Sequence, residues 1–278
     1  MGQNRHVHNI AELQSIALTV AREAAALVAE RRRGSVAVAD RKSSSVDIVT
    51  AVDRESESFI RARLAELRPG DGFFGEEGNR ESGSTGLTWI VDPIDGTVNF
   101  VYGIPAYAIS IAVVEGAATP EEWTALAAVV INVANGEEYV ASLGAGATLN
   151  GDALQVVPAP TLAEALLATG FAYDSERRSQ QGEVIGRLIG QVRDIRRIGA
   201  ASLDLCNVAA NRVNIYFERG LMPWDHAAGV LIAQEAGATV RGLNGAAASA
   251  NWCLAAHPQT IDEFEARALE AGANFTLR

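Results

Sequence analysis

Lysine is almost missing from this sequence: Lys42 stands alone beside 22 arginines. There is accordingly no GxxxxGK cradle for a nucleotide phosphate. Arginine in place of lysine, with abundant alanine, fits a GC-rich coding background, and Lys42 is then either held by chemistry or a survivor of chance. Cysteine is nearly as scarce. Cys206 and Cys253 are far apart and belong to no CxxC, which excludes a disulfide framework or a zinc knuckle. Buried thiols in a reducing cytosol are expected instead. The four histidines are His6, His8, His226 and His257, with no HExxH and no GxSxG. A histidine-built zinc site or a nucleophilic triad therefore has no support. Basic residues number 23 against 34 acidic ones, a net charge of −11. Without a basic run, such a chain is not expected to bind nucleic acid or an anionic membrane directly. Arg31-Arg32-Arg33 closes the first helix, where positive charge suits the helix dipole. Long apolar runs are absent too: "ALAAVVI" at 125–131 is far too short to span a bilayer. The opening "MGQNRHVHNI" has no apolar signal-peptide core, and His6 stands where myristoylation needs Ser or Thr. A cytoplasmic protein is expected.

What is present is a regular alternation of elements. Ile10, Leu13, Ile16, Ala17, Val20, Ala24, Leu27 and Val28 form a helical stripe over 10–33. The polar "DRKSSSVDIVTAVD" (40–53) leads to a second helix at about 53–67, stopped by Pro69-Gly70. "FFGEEG" (73–78) reads as a short strand entering a turn, and "STGLTWIVD" as a loop and a strand. Apolar segments at 107–115, 124–133 and 137–142 predict a meander of antiparallel strands. Beyond about 150 the pattern predicts helices near 176–191, 199–211, 224–236 and 259–271, and strands near 165–170, 213–218, 238–241 and 252–256. "GAGATLNG" (144–151) is a turn, since no helix pattern follows it. With no repeat and no linker, residues 1–278 read as a single domain: an α+β region at roughly 1–145 and an α/β region at 146–278, as packed helices and two sheets.

The chemistry lies in carboxylates. In "TWIVDPIDGTVNF" (88–100) a buried-looking strand ends in Asp92 and Asp95. Charges there need compensation. Pro93-Ile94 turns the chain, Gly96 permits close approach, and a helix starts near Thr97. Two aspartates across such a turn converge with the Ile94 carbonyl, a donor set suited to Mg²⁺. The helix start offers N–H groups to a phosphate. The alternative is that Asp95 merely caps that helix. Glu76 and Glu77 follow another apolar strand, and Asp225 opens an apolar helix after Trp224. Acidic strand ends without phosphate-binding Lys or Arg motifs suggest that metal ions supply the positive charge.

"GEE", "WIVDPIDGTVNF" and "WDHAAG", in this order and spacing, resemble the inositol monophosphatase family of metal-dependent phosphatases. "KSSSVDIVTAVD" and "RRIGAASLDLCNVAANRVNIYFERG" resemble further family segments, so the likeness covers roughly residues 10–270 and looks closest to actinobacterial members. The resemblance implies a layered αβαβα sandwich of the sugar-phosphatase type and two or three Mg²⁺ ions. It implies that Glu76, Asp92 and the Ile94 carbonyl hold one ion, and that Asp92, Asp95 and Asp225 hold a second. Glu76 would also touch a looser third. Thr97 and Asp53 would orient and deprotonate the attacking water. The amides of Gly96 and Thr97 would hold the phosphate, and Asp95, Gly199, Ala200, Ala201, Glu218 and Asp225 the polyol. Lys42, with Asp47 in its segment, would lie near the third ion. One departure is Ala200, where the family often has Ser or Thr, and a hydroxyl contact to the polyol is lost with it. Lithium inhibition and a homodimer are implied by resemblance; the apolar meander at 107–142 also offers surface for a partner copy.

The expected reaction is Mg²⁺-dependent hydrolysis of a small polyol monophosphate, myo-inositol 1-phosphate first, with histidinol phosphate as the rival substrate. Glu218 suits hydroxyls, and no basic or aromatic nucleotide pocket is evident in the sequence. The expectation of a different class is a binding partner of the transcription machinery, as some bacterial relatives are.

Overall fold

The structure, a computed structural model, describes residues 8–34, 38–41, 48–159 and 161–275. Lys42 and Asp47 lie outside the described residues. The first half begins with α1 (Ile10–Arg32), a short antiparallel pair β1 (Val38–Arg41) and β2 (Ile48–Thr50), and α2 (Ala51–Leu67). It continues with β3 (Gly72–Gly75), β4 (Leu87–Asp95), α3 (Thr97–Tyr102), β5 (Ala108–Gly116), β6 (Trp123–Asn132), β7 (Glu137–Ser142), β8 (Gly146–Leu149) and β9 (Asp152–Ala153). Then come β10 (Leu166–Thr169), α4 (Ser175–Leu188), β11 (Asp194–Arg196), α5 (Ala201–Ala209), β12 (Ile215–Glu218), α6 (Pro223–Glu235), β13 (Thr239–Arg241), β14 (Cys253–Ala256) and α7 (Ile261–Glu270).

Strands β3 to β9 lie in sequence order in one sheet, in which β3 and β4 are parallel and β4 to β9 antiparallel. The second sheet has the order β11-β10-β12-β14-β13. Strands β4, β5 and β6 are buried on both faces, so they read as continuous apolar runs and not as alternation. Side-chain size alternates instead. Trp89, Val91, Ile109, Ile111, Val113, Val129 and Ile131 face α1 and α2. The opposite face is mostly smaller, with Ala108, Ala112 and Ala128, and packs on α5 and α6. Those two helices also touch the second sheet, whose far side is covered by α4 and α7 around Phe217, Leu254 and Phe264. The layers run helix, sheet, helix, sheet, helix, which is the αβαβα sandwich expected.

Three expectations need correction. The meander does not offer a free surface: its side chains are covered by α1 on one face and α6 on the other. Strand β4 does not turn at Pro93-Ile94 but continues to Asp95 through a bulge. Asp92 pairs with Ser110 and Asp95 with Ala108, so two residues of β4 oppose one of β5. Proline is tolerated there because a bulge leaves a backbone N–H out of the ladder. The third concerns short strands: β11 and the β1–β2 pair were not expected, and β8 occupies Gly146–Leu149 within the stretch 144–151 that was read as a turn. Cys206 and Cys253 are free and buried, as anticipated. Among the described residues no helix is long and apolar enough to cross a membrane.

Candidate active site

The parallel pairing of β3 and β4 sets the site. Gly75 lies opposite Val91, so Glu76, just past the end of β3, follows on beside Asp92, the last β4 residue before the bulge. The bulge then turns Asp95 into the same region. Within it, Ile94 N–H donates to Asp92 Oδ1 at 3.0 Å, and Pro93 O accepts from Ser56 Oγ at 3.1 Å. Gly96 follows with φ +89°, and a β-carbon there would lie 2.8 Å from Ala106 O. The chain can pass only as glycine. Thr97 Oγ1 sits 2.9 Å from Asp53 Oδ1 and 3.1 Å from Ile94 O. Its single proton can serve only one of them at a time. Asp53 is fully buried, and its other oxygen accepts the Thr50 N–H at 2.8 Å and the Thr50 hydroxyl, a capping box that fixes the start of α2.

Asp95 does not cap the helix that follows it, since Gly96 is the N-cap of α3 and no side chain bonds there. It caps a distant one. Its Oδ1 accepts from Ala201 N–H at 3.2 Å, and its Oδ2 from Ser202 N–H at 2.7 Å and from the Ser202 hydroxyl. The N-terminus of α5 is otherwise uncapped. Helix and carboxylate therefore satisfy each other. Asp225 lies in the first turn of α6, behind Pro223, and its Oδ2 accepts Met222 N–H at 2.6 Å.

Burial and like charge dominate this cluster. Burial, then the charges of Glu76, Asp95 and Asp225, hold the Asp92 carboxyl well above the usual carboxylate range. Asp225 is raised by burial and by Glu76 and Asp95, against the Met222 N–H, and Asp95 is raised by burial against its Ser202 hydrogen bonds. Among the described residues no three His, Cys, Asp or Glu side chains form a ready-made cation cage. The donors are neighbours, all oxygen, and mutually repelling. That fits Mg²⁺, which uses one or two carboxylates and completes its shell with water and substrate oxygens.

Next to the cluster is a cavity of about 450 Å³, lined by Glu76, Glu218, Trp224 and Asp225 on one side and by Phe171, Tyr173 and Arg177 on another. Glu218 takes Tyr216 OH at 2.8 Å, and burial pushes its carboxyl up to about 7 against that bond and the Arg197 charge. A side chain at Gly170 would collide with it, Oε2 lying 2.1 Å from an added β-carbon. Gly199 is in the left-handed region at φ +91°. Ala200 is buried against Gly96 with its methyl in the core, so only its backbone can serve a ligand, whereas Ala201 is half-buried. Phe171, Trp224 and Arg177 come from three separate segments, which is why this aromatic and basic lining was not evident in the sequence.

Sequence reasoning missed several supporting residues. Glu57, buried one turn after Asp53, accepts Glu77 N–H at 2.7 Å and Arg61 at 3.0 Å, and so ties the Glu76 loop to α2. Asn99 donates to Ala106 O and Ile198 O at 2.7 and 2.9 Å, joining α3 to the Gly199 loop. A polar residue inside the apolar turn "TVNF" was the available signal for Asn99. The Ser202 hydroxyl stands two positions after the missing one at Ala200, and it meets Asp95.

The chain is similar to known proteins over most of its length. The model of the inositol monophosphatase family matches residues 9–272. The inositol-1-monophosphatase SuhB of Mycobacterium tuberculosis (strain H37Rv) is 46% identical over 249 residues, 83% of each chain. A protein of Vibrio cholerae named Nus factor SuhB is 39% identical and covers 83% of this chain and 85% of its own. The solved structure of Mycobacterium tuberculosis SuhB superposes with a TM-score of 0.81 at 42% identity, covering 95% of this chain and 98% of that one.

Proposed function

The chain belongs to the inositol monophosphatase family, a family of phosphatases, and from that premise we propose that it hydrolyses a small polyol phosphate monoester in a Mg²⁺-dependent reaction, myo-inositol 1-phosphate first. The observation that carries this reading is the Thr97–Asp53 hydrogen bond beside the buried carboxyls of Asp92 and Asp95. Glu76, Asp92 and the Ile94 carbonyl would hold one ion, Asp92, Asp95 and Asp225 a second, and Glu76 would reach a third. Bound Mg²⁺ supplies the positive charge that admits a phosphate ester to an acidic pocket and offsets charge on the attacking and departing oxygens.

The chain's own residues do the rest. Thr97 Oγ1 takes a proton from the attacking water as its own proton passes to Asp53 Oδ1, 2.9 Å away, so the threonine ends as a neutral hydroxyl and Asp53 as the acid. Asp53 stays oriented because Thr50 occupies its second oxygen. The Gly96 and Thr97 amides, at the start of α3, face the phosphate. Glu218, the Gly199–Ala201 backbone, Asp95 and Asp225 border the polyol, and Glu218 favours hydroxyl groups. Histidinol phosphate is the alternative substrate.

Phosphate release from a panel of monoesters, with Mg²⁺ and in excess chelator, tests the reading. Release that requires Mg²⁺, falls at high Ca²⁺ and is inhibited by Li⁺ is expected. Full turnover in chelator would refute the metal role. A homodimer in the cytoplasm is proposed on resemblance alone, and a monomer mass by light scattering at micromolar protein would refute it. A second reading, a partner of the transcription machinery, is favoured by the name of the Vibrio cholerae relative. Co-purification with RNA polymerase would support it, and neither reading requires the other to fail.

A further inference from the structure

Strands β10 and β12 pair in parallel as far as Thr169 and Phe217, where the Thr169 hydroxyl also donates to Phe217 O at 2.7 Å. Gly170 and Glu218 then pass so closely that a β-carbon at Gly170 would collide with the carboxylate. Beyond them the ladder ends, and each chain becomes a wall of the active-site cavity. Phe171, Ala172 and Tyr173 line it on the first, Arg219, Gly220 and Leu221 on the second. A crevice outside the carboxyl ends of parallel strands is where such a sheet takes its ligand.

Gln181 joins the two walls. It is 6% exposed on the inner face of α4, in line with buried Val184 and Leu188. An amide in that apolar stripe is costly to bury unless its ends are bonded. Both are. Its Oε1 accepts Ala172 N–H at 2.8 Å, and its Nε2 donates to Arg219 O at 3.0 Å. Of side chains with this shape, an ionised Glu could make only the first bond, and Met neither. Gln181 does not itself line the cavity, and neither bond runs to the acidic cluster or to Thr97.

We propose that Gln181 is a positioning residue that sets the spacing of the two walls, and so makes the cavity selective for a cyclic polyol over an open-chain one. This deepens the phosphatase reading and rests on it. A ring reaches both walls at once, and walls already held in place save the cost of ordering them on binding. A three-carbon chain does not need both. Proton transfer takes place elsewhere, at Thr97 and Asp53, so turnover of bound substrate is left alone.

The probes are myo-inositol 1-phosphate and glycerol 1-phosphate, with kcat and KM measured separately for each. Wild type should show the lower KM for the ring ester. Gln181→Met keeps the shape and removes both hydrogen bonds. It should raise KM for myo-inositol 1-phosphate about three- to tenfold, as the loss of a hydrogen bond does. Both kcat values and the KM for glycerol 1-phosphate should stay within about twofold of wild type. Gln181→Glu keeps only the acceptor and should act in the same direction, which covers a Met variant that fails to fold. Val184→Ala loosens the same face of α4 without touching either bond. It should lower the melting temperature and leave the ratio of the two KM values as in wild type. A wild type that does not favour the ring ester, equal KM rises for both esters, a loss confined to kcat, or the same selective rise in Val184→Ala would overturn the role of Gln181 alone. No Mg²⁺-dependent release from either ester by wild type would overturn the phosphatase reading with it.

Discussion

Asp225 has two separable jobs, and a single substitution distinguishes them. One oxygen accepts the Met222 N–H and caps α6; the carboxylate charge also faces Glu76 and Asp95. Asp225→Asn keeps an oxygen for the cap, since Asn caps about as well as Asp, and removes the charge. Thermal stability without metal should therefore hold or rise slightly, because a buried like-charge contact is relieved. Turnover should fall by about 10²-fold or more, and half-saturation should move to higher Mg²⁺. Near-normal kcat with an unchanged Mg²⁺ dependence would reduce Asp225 to a helix cap. Residues of this kind were legible in the sequence because an aspartate in an apolar setting is costly and needs a reason. Glu57 and Ser202 were not. Their partners, Glu77 and Asp95, become neighbours only when separate elements pack, and no local pattern marks a hydroxyl 107 residues from the carboxylate it bonds.

At the scale of elements, the α5–α6 pair is the middle layer that joins both sheets and carries Ser202 and Asp225 to one place. Its close approach depends on Gly229, where an added β-carbon would lie 2.7 Å from Leu205 Cβ and 3.2 Å from Ser202 O. Gly229→Ala should push α6 off α5, costing about 1–3 kcal/mol as overpacking does, and should separate Asp225 from the Asp95 pocket. Weaker Mg²⁺ binding by calorimetry, together with a lower melting temperature, is expected. Lost stability with unchanged Mg²⁺ affinity would show that the interface does not set the site. Long apolar strands were legible as strands, but the continuity of the meander was read as surface for a partner copy, whereas it reflects burial on both faces. The bulge was not legible, since "DPID" fits a turn as well as a bulge, and only the register against β5 decides between them. Strand β11 (Asp194–Arg196) was hidden for a simpler reason: "DIR" has no apolar pattern of its own and is held by pairing with β10.

For the whole molecule, the buried carboxyls link folding to pH and to metal. Asp92, Asp204 and Asp225 bind protons well above the usual carboxylate range, chiefly because they are buried, and Glu218 is moved from 4.5 to about 7 by burial. The folded chain then carries more protons than the unfolded one at any pH between the two values. Stability must fall as pH rises through that window. His226 acts the other way, as burial lowers it from 6.5 to about 4, but its contribution is complete above pH 6.5. Ion-paired Glu55 and Glu137, whose Arg31 and Arg212 partners lower them, lose their pairs only on the acid side. Between about pH 6.5 and 8.5 the raised carboxyls dominate, so in chelator the melting temperature should decline as pH increases. Mg²⁺ binds the folded state and competes with those protons, stabilising by about 2.7 kcal/mol at a hundredfold excess over its dissociation constant. That constant itself tightens as the ligands deprotonate. Melting curves at fixed Mg²⁺ and in chelator should therefore diverge as pH rises across this range. Parallel curves would mean that the carboxyls whose protons are lost there are not the ones that hold the ion.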